Sequence, residues 1–122
     1  MDVLLYIAAA LTGAWGISHL FATRGVVAGF GELSADNRRI ITMEWVVEGV
    51  ALISIGALVA SVTVAGSDGA SASAAYAVAV ATLIVLAVVS LFTGARIAFL
   101  PFRLCPVIVT ASSVLIGLGA WL

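Results

Sequence analysis

Four stretches of the chain carry almost no charge: 3–22, 40–65, 74–95 and 104–122. Each approaches the ~20 residues that an α-helix needs to cross a hydrocarbon core of ~30 Å. The pattern therefore predicts four transmembrane helices, over 3–23, 35–64, 73–100 and 104–122. A membrane β-barrel would need at least ~8 strands of alternating character, more than this chain can supply. Helices also satisfy every backbone polar group within lipid. The expected fold is all-α: a polytopic membrane protein forming a four-transmembrane-helix bundle as one domain, 1–122.

The connections carry the charge. The first, 24–39, holds Glu32, Asp36, Arg38 and Arg39, and its apolar, glycine-rich start at 24–31 reads as an interfacial loop or flap. Ser34 is placed to cap the second helix, with Asp36 near the positive end of its dipole. The second connection, Gly66-Ser67-Asp68-Gly69, has no basic residue, and the third is a tight turn at 101–103 bracketed by Pro101 and Pro106. All five arginines (Arg24, Arg38, Arg39, Arg96 and Arg103) lie on or near the first and third connections, hence on one side. The positive-inside rule puts that side in the cytoplasm and both termini outside. The expected location is a bacterial or archaeal inner membrane. The chain opens Met1-Asp2 without the positive n-region of a cleaved signal, so the first span is expected to stay in the protein.

Composition strengthens this picture. The chain is 64% hydrophobic and 9% charged, against roughly 45–50% and 25% in soluble domains. Soluble enzyme folds are thereby excluded. A net charge of −1 leaves no basic surface for nucleic acid. Cys105 is alone and reads as a small apolar residue, so neither an intramolecular disulfide nor a cysteine-based metal site is expected. Small residues four apart, Ala9/Gly13, Gly56/Ala60 and Ser113/Gly117, would let helices approach closely.

The informative residues are the ionisable ones within the spans, since a charge at the bilayer centre costs about 2.5–3.5 kcal/mol. They are His19, Glu44, Glu48 and Arg96. At ~1.5 Å per residue, each lies roughly 6–14 Å inward of the arginine side, with Glu48 the deepest. Glu44 and Glu48 are about 40° apart on one face of the second helix, a stripe shared with Asn37 and Ala51. Trp15 and His19 share a face of the first helix, and Thr93 lies one turn from Arg96. These residues converge on a half-open polar pocket facing the cytoplasm. Within it, Glu48, Glu44 and His19 are the candidate acid–base groups, and Arg96, Trp15, Trp45, Asn37 and Thr93 the candidate ligand contacts. Glu48 must either pair with Arg96 or His19 or take up a proton. A Glu–Arg pair that only fixes packing, and tryptophans acting as interfacial anchors, remain as alternatives. One histidine cannot supply a di-iron site or a haem with two histidine ligands, so no metal is assigned and the cofactor stays unknown.

The segment Glu48-Gly-Val-Ala-Leu-Ile-Ser-Ile-Gly-Ala-Leu58 resembles the corresponding stretch of the DoxX-like family of small four-helix bacterial membrane proteins. The length, the loop after the first helix and the proline-marked turn before the last one match that plan as well. The resemblance implies an accessory membrane subunit or chaperone-like partner, in a superfamily linked to quinone-coupled sulfur oxidation, oxidant defence and receptor assembly. It does not extend to His19.

The leading expectation is an accessory or binding module of a membrane redox or assembly complex, holding a lipid-like or quinone-like headgroup. Its partners would be the lipid bilayer, a lipophilic small molecule, and a membrane protein or second copy of the chain. One alternative is a membrane isomerase or cyclase using Glu/His acid–base chemistry on a lipophilic substrate. Another is a small proton-coupled transporter, disfavoured because the polar groups lie to one side of the midplane.

Overall fold

A computed structural model describes residues 2–122. It contains four long helices: α1 (Asp2–Ala28), α2 (Ala35–Ala65), α3 (Ala70–Phe92) and α4 (Leu100–Trp121), with a single 3-10 turn at Gly94–Arg96. No strand occurs among the described residues. All four helices are long and apolar enough to cross a membrane. Large apolar side chains such as Phe21, Val64 and Val78 point outward, so the outer surface suits lipid. The chain is an integral membrane protein with an all-helical, four-helix fold.

Several boundaries differ from those expected. The glycine-rich segment after Arg24 is helical as far as Ala28, because Val26 and Val27 are buried and hold the last turn down. The helix ends where Gly31 adopts φ +74°, a conformation that costs a glycine little. Ser34 caps α2 by accepting from the Asn37 amide at 3.1 Å. α3 stops at Phe92 and does not continue toward residue 100. The Thr93 hydroxyl donates to the Val89 carbonyl at 2.6 Å, and Gly94, a poor helix former, follows. The third connection thus spans 93–99, with Pro101 inside the first turn of α4 and Pro106 one turn further in. Proline is tolerated in a first turn because its missing N–H would have no helical partner there.

Lipid offers no hydrophobic drive between helices, so close approach must hold them together. A Cβ on Gly16 would lie 2.6 Å from the Gly49 carbonyl oxygen, and one on Gly56 would lie 2.7 Å from that of Ala9. These glycines bring α1 and α2 nearly backbone to backbone. Gly119 does the same for α4 against Leu5. α1 packs on α2 and α4, α4 packs on α3, and α2 touches α3 least. The core between them contains Leu5, Leu52, Val59, Tyr76, Leu83, Val109 and Ile116.

Candidate functional site

His19 is seventeen residues past Asp2 on α1, and Glu48 is seventeen residues before Ala65 on α2. Since the two helices are antiparallel, both lie at the same level, ~26 Å from the far end of the bundle. The Gly16/Gly49 contact joins the helices one turn away, which lets the two side chains meet. His19 Nε2 is 3.5 Å from Glu48 Oε1. His19 is buried and Glu48 is partly open.

The other ring nitrogen is held by the backbone of α1. His19 Nδ1 is 3.1 Å from the Trp15 carbonyl oxygen. A carbonyl can only accept, so Nδ1 carries a hydrogen and donates. Nε2 is the nitrogen left to face Glu48, and the two form an ion pair when the imidazole is protonated.

Aromatic rings hold the imidazole in place. Trp45 stacks on it with centroids 4.4 Å apart and planes 22° apart, and Trp15 meets it edge-on at 5.7 Å. The Trp45 Nε1–H donates to the His19 carbonyl at 2.6 Å, tying α2 to α1. Phe102 of α4 packs edge-on against Trp45 at 5.5 Å. The Trp15 indole N–H is buried without a partner among the described residues.

These groups border a cavity of about 520 Å³ toward the arginine-rich ends of the helices. Its walls include Trp15, His19, Trp45 and Glu48, with Leu86, Val89, Leu100, Phe102 and Leu104 supplying apolar surface. Ser18, Ser90, Thr93 and Cys105 add small polar groups. The volume falls within the ~300–1,000 Å³ typical of small-molecule sites, and a mostly apolar wall with few polar groups is their usual character.

Of the residues singled out in the sequence, His19, Glu48, Trp15, Trp45 and Thr93 border this cavity. Glu44 does not: it is exposed and lines a neighbouring groove of about 470 Å³. Cavity and groove share Trp45, Glu48, Leu86 and Phe102, which therefore form a common wall. Arg96 lies apart as well. The break after Phe92 carries it onto the 3-10 turn, where its guanidinium sits 6.0 Å from the Phe92 ring. It forms no ion pair with either glutamate. Asn37 is exposed in the first turn of α2, outside the cavity.

Sequence reasoning missed Phe102, Leu86 and Ser90. Leu86, Ser90 and Thr93 recur at helical spacing on one face of α3, a signal that was present in the sequence. Phe102 carried none, because its position depends on where α4 begins. Among the described residues, no group of three or more His, Cys, Asp or Glu gathers as a metal site. No protein-family model, curated protein or solved structure matches the chain.

Proposed function

We propose that this chain is a small membrane-embedded binding module, accessory to a redox or assembly complex, that holds the ring of a quinone-like or related amphiphile. The observation that carries this reading is the His19–Glu48 pair, set among three aromatic rings at the mouth of an otherwise apolar cavity. At ~26 Å from the far end, the pair lies just inside the edge of a ~30 Å hydrocarbon core. There the polar ring of an amphiphile meets its apolar tail. Trp45 and Trp15 offer flat surfaces to such a ring, and the His19–Glu48 pair can hydrogen-bond to a carbonyl or hydroxyl oxygen. The Trp15 N–H is a further donor, once the indole turns toward a guest. The tail would leave between α2 and α3, the seam with the least contact.

The arginine-rich end faces the cytoplasm in this reading, with both termini outside, as the distribution of charge requires. A second reading has one specific support. A His–Glu pair beside aromatic faces is also the equipment of a membrane isomerase or cyclase, in which Glu48 would protonate a lipophilic substrate and the rings would stabilise the resulting cation.

The test is a titration of the purified protein in nanodiscs with a short-chain benzoquinone, read by tryptophan fluorescence. Trp121 lies at the far end of α4, so a Trp121→Phe background leaves only Trp15 and Trp45 to report. Saturable quenching, weakened by Glu48→Gln, is expected; a flat titration sinks the quinone reading. Native mass spectra of gently extracted wild type and Glu48→Gln provide the complement. A small molecule of fixed mass should accompany the wild type alone. Protein subunits copurifying equally with both would make the pair a packing device and the chain an assembly protein.

A further inference from the structure

A second concavity lies on the other side of α1, between the last turns of α1 and the first turns of α2. It encloses about 540 Å³ and is lined by Leu20, Phe21, Thr23, Arg24, Val27, Arg38 and Thr42. None of these residues borders the His19–Glu48 cavity. The groove therefore stands independently of the function proposed above.

Two arginines from different helices line it, and no carboxylate does. Among the described residues, neither Arg24 nor Arg38 has an ion-pair partner, whereas adjacent Arg39 pairs with Asp36 at 3.5 Å. The Thr42 hydroxyl donates to the Arg38 carbonyl, and that of Thr23 to the Leu20 carbonyl. The guanidinium groups are thus the side-chain donors left for a guest, and what they lack is an anion.

Depth indicates which anion. Counted from the far helix ends, Arg24 lies at ~33 Å and Arg38 at ~40 Å. A hydrocarbon core of ~30 Å ends ~3 Å short of Arg24 and ~10 Å short of Arg38, so they bracket the headgroup layer where lipid phosphates lie. Below them Leu20 and Phe21 continue the groove as an apolar surface, and Phe21 is 87% exposed. A bare phosphate ion would have no use for that surface, whereas an acyl chain would cover it.

We propose that this groove binds one anionic phospholipid, with its phosphate between Arg24 and Arg38 and an acyl chain along Leu20 and Phe21. Basic residues near a membrane surface contribute about fivefold each in affinity for anionic lipid, so the pair should favour such a lipid by roughly 10- to 30-fold. Bound there, the lipid would clamp the cytoplasm-proximal ends of α1 and α2.

The experiment reconstitutes the whole chain in nanodiscs of equimolar phosphatidylglycerol and phosphatidylcholine, then records the lipid retained in native mass spectra. The wild type should keep a single phosphatidylglycerol at the stated preference. The double variant Arg24→Gln/Arg38→Gln should lose that preference, and Arg39→Gln, one residue away and outside the groove, should keep it. Each single variant should lose roughly fivefold, which keeps the test readable if the double variant folds poorly. Equal retention of the two lipids by wild type, or an equal loss in Arg39→Gln, would overturn the site in favour of diffuse charge attraction. Displacement of the lipid by added inorganic phosphate would also overturn it, making the groove a site for a soluble anion.

Discussion

Replacing Gly16 with alanine places a methyl group 2.6 Å from the Gly49 carbonyl oxygen and 2.8 Å from the Ile53 nitrogen. Both obstacles are backbone, so no side-chain rotation relieves them. To restore an ordinary 3.4 Å contact, α1 and α2 must part by about 0.8 Å. Overpacking of this kind costs about 1–3 kcal/mol, offset by the roughly 0.5–1 kcal/mol that alanine gains over glycine within a helix. Gly13, one turn earlier on α1, supplies the control, because a Cβ there meets nothing within 4 Å. Gly13→Ala should therefore be neutral or stabilising by up to about 1 kcal/mol, and the difference between the two variants isolates the clash. The same displacement reaches the site. It would stretch the 2.6 Å bond from Trp45 to the His19 carbonyl and move Glu48 beyond pairing distance from His19. Unfolding by SDS titration in dodecylmaltoside micelles, followed by far-UV circular dichroism, gives the stabilities, and tryptophan emission reports the site. Equal stability of the two variants, with unchanged emission, would refute the glycine-mediated crossing of α1 and α2.

Trp45→Phe keeps an aromatic face on His19 but removes the donor to its carbonyl, so a loss of about 1 kcal/mol in the same SDS titration is expected. At the far end, Thr63 Oγ1 donates to the Val59 carbonyl, leaving the buried Tyr76 hydroxyl to donate to Thr63 at 2.9 Å. Tyr76→Phe removes donor and bond together and should cost about 1 kcal/mol, whereas Thr63→Val strands the phenol and should cost more, about 1–3 kcal/mol. The opposite ranking in SDS titration would show that the bond is not formed in the membrane.

The four helices were legible from the charge-free stretches. Counting from the arginines put His19 and Glu48 on the same side of the midplane but with Glu48 deeper, whereas counting from the far helix ends makes them level. Which neighbours join them was not legible. Glu44 shares a face with Glu48, but it lies one turn, ~6 Å, nearer the end of α2. The wall formed by Trp45 and Phe102 separates it from the cavity, and that wall exists only once α4 is in place. Arg96 was misplaced because apolar residues flank it on both sides, which reads as a continuous helix through residue 100. The break depends on two adjacent residues, Thr93 and Gly94. Gly16 and Gly49 also escaped notice, since close helix crossing was sought in pairs four apart on one helix, and these glycines face each other across two.

The cavity opens at one end because the polar bonds that join helices are unevenly distributed. At the far end Ser67 donates to Asp2 at 2.8 Å, Tyr76 to Thr63 at 2.9 Å, and Trp121 to Ser73 at 3.0 Å. These bonds tie the start of α1 to the second connection, α2 to α3, and α3 to α4. At the arginine-rich end the Trp45–His19 bond fastens α1 to α2, and a 3.5 Å contact between Ser90 and Cys105 links α3 to α4. Among the described residues no hydrogen bond joins α2 to α3 there. The two hairpins meet there through the packing of Trp45 on Phe102, and the other side chains on their facing surfaces border a space. Because that space lies at the level of the His19–Glu48 pair, the same asymmetry that loosens the bundle also leaves the Glu48 carboxyl partly open.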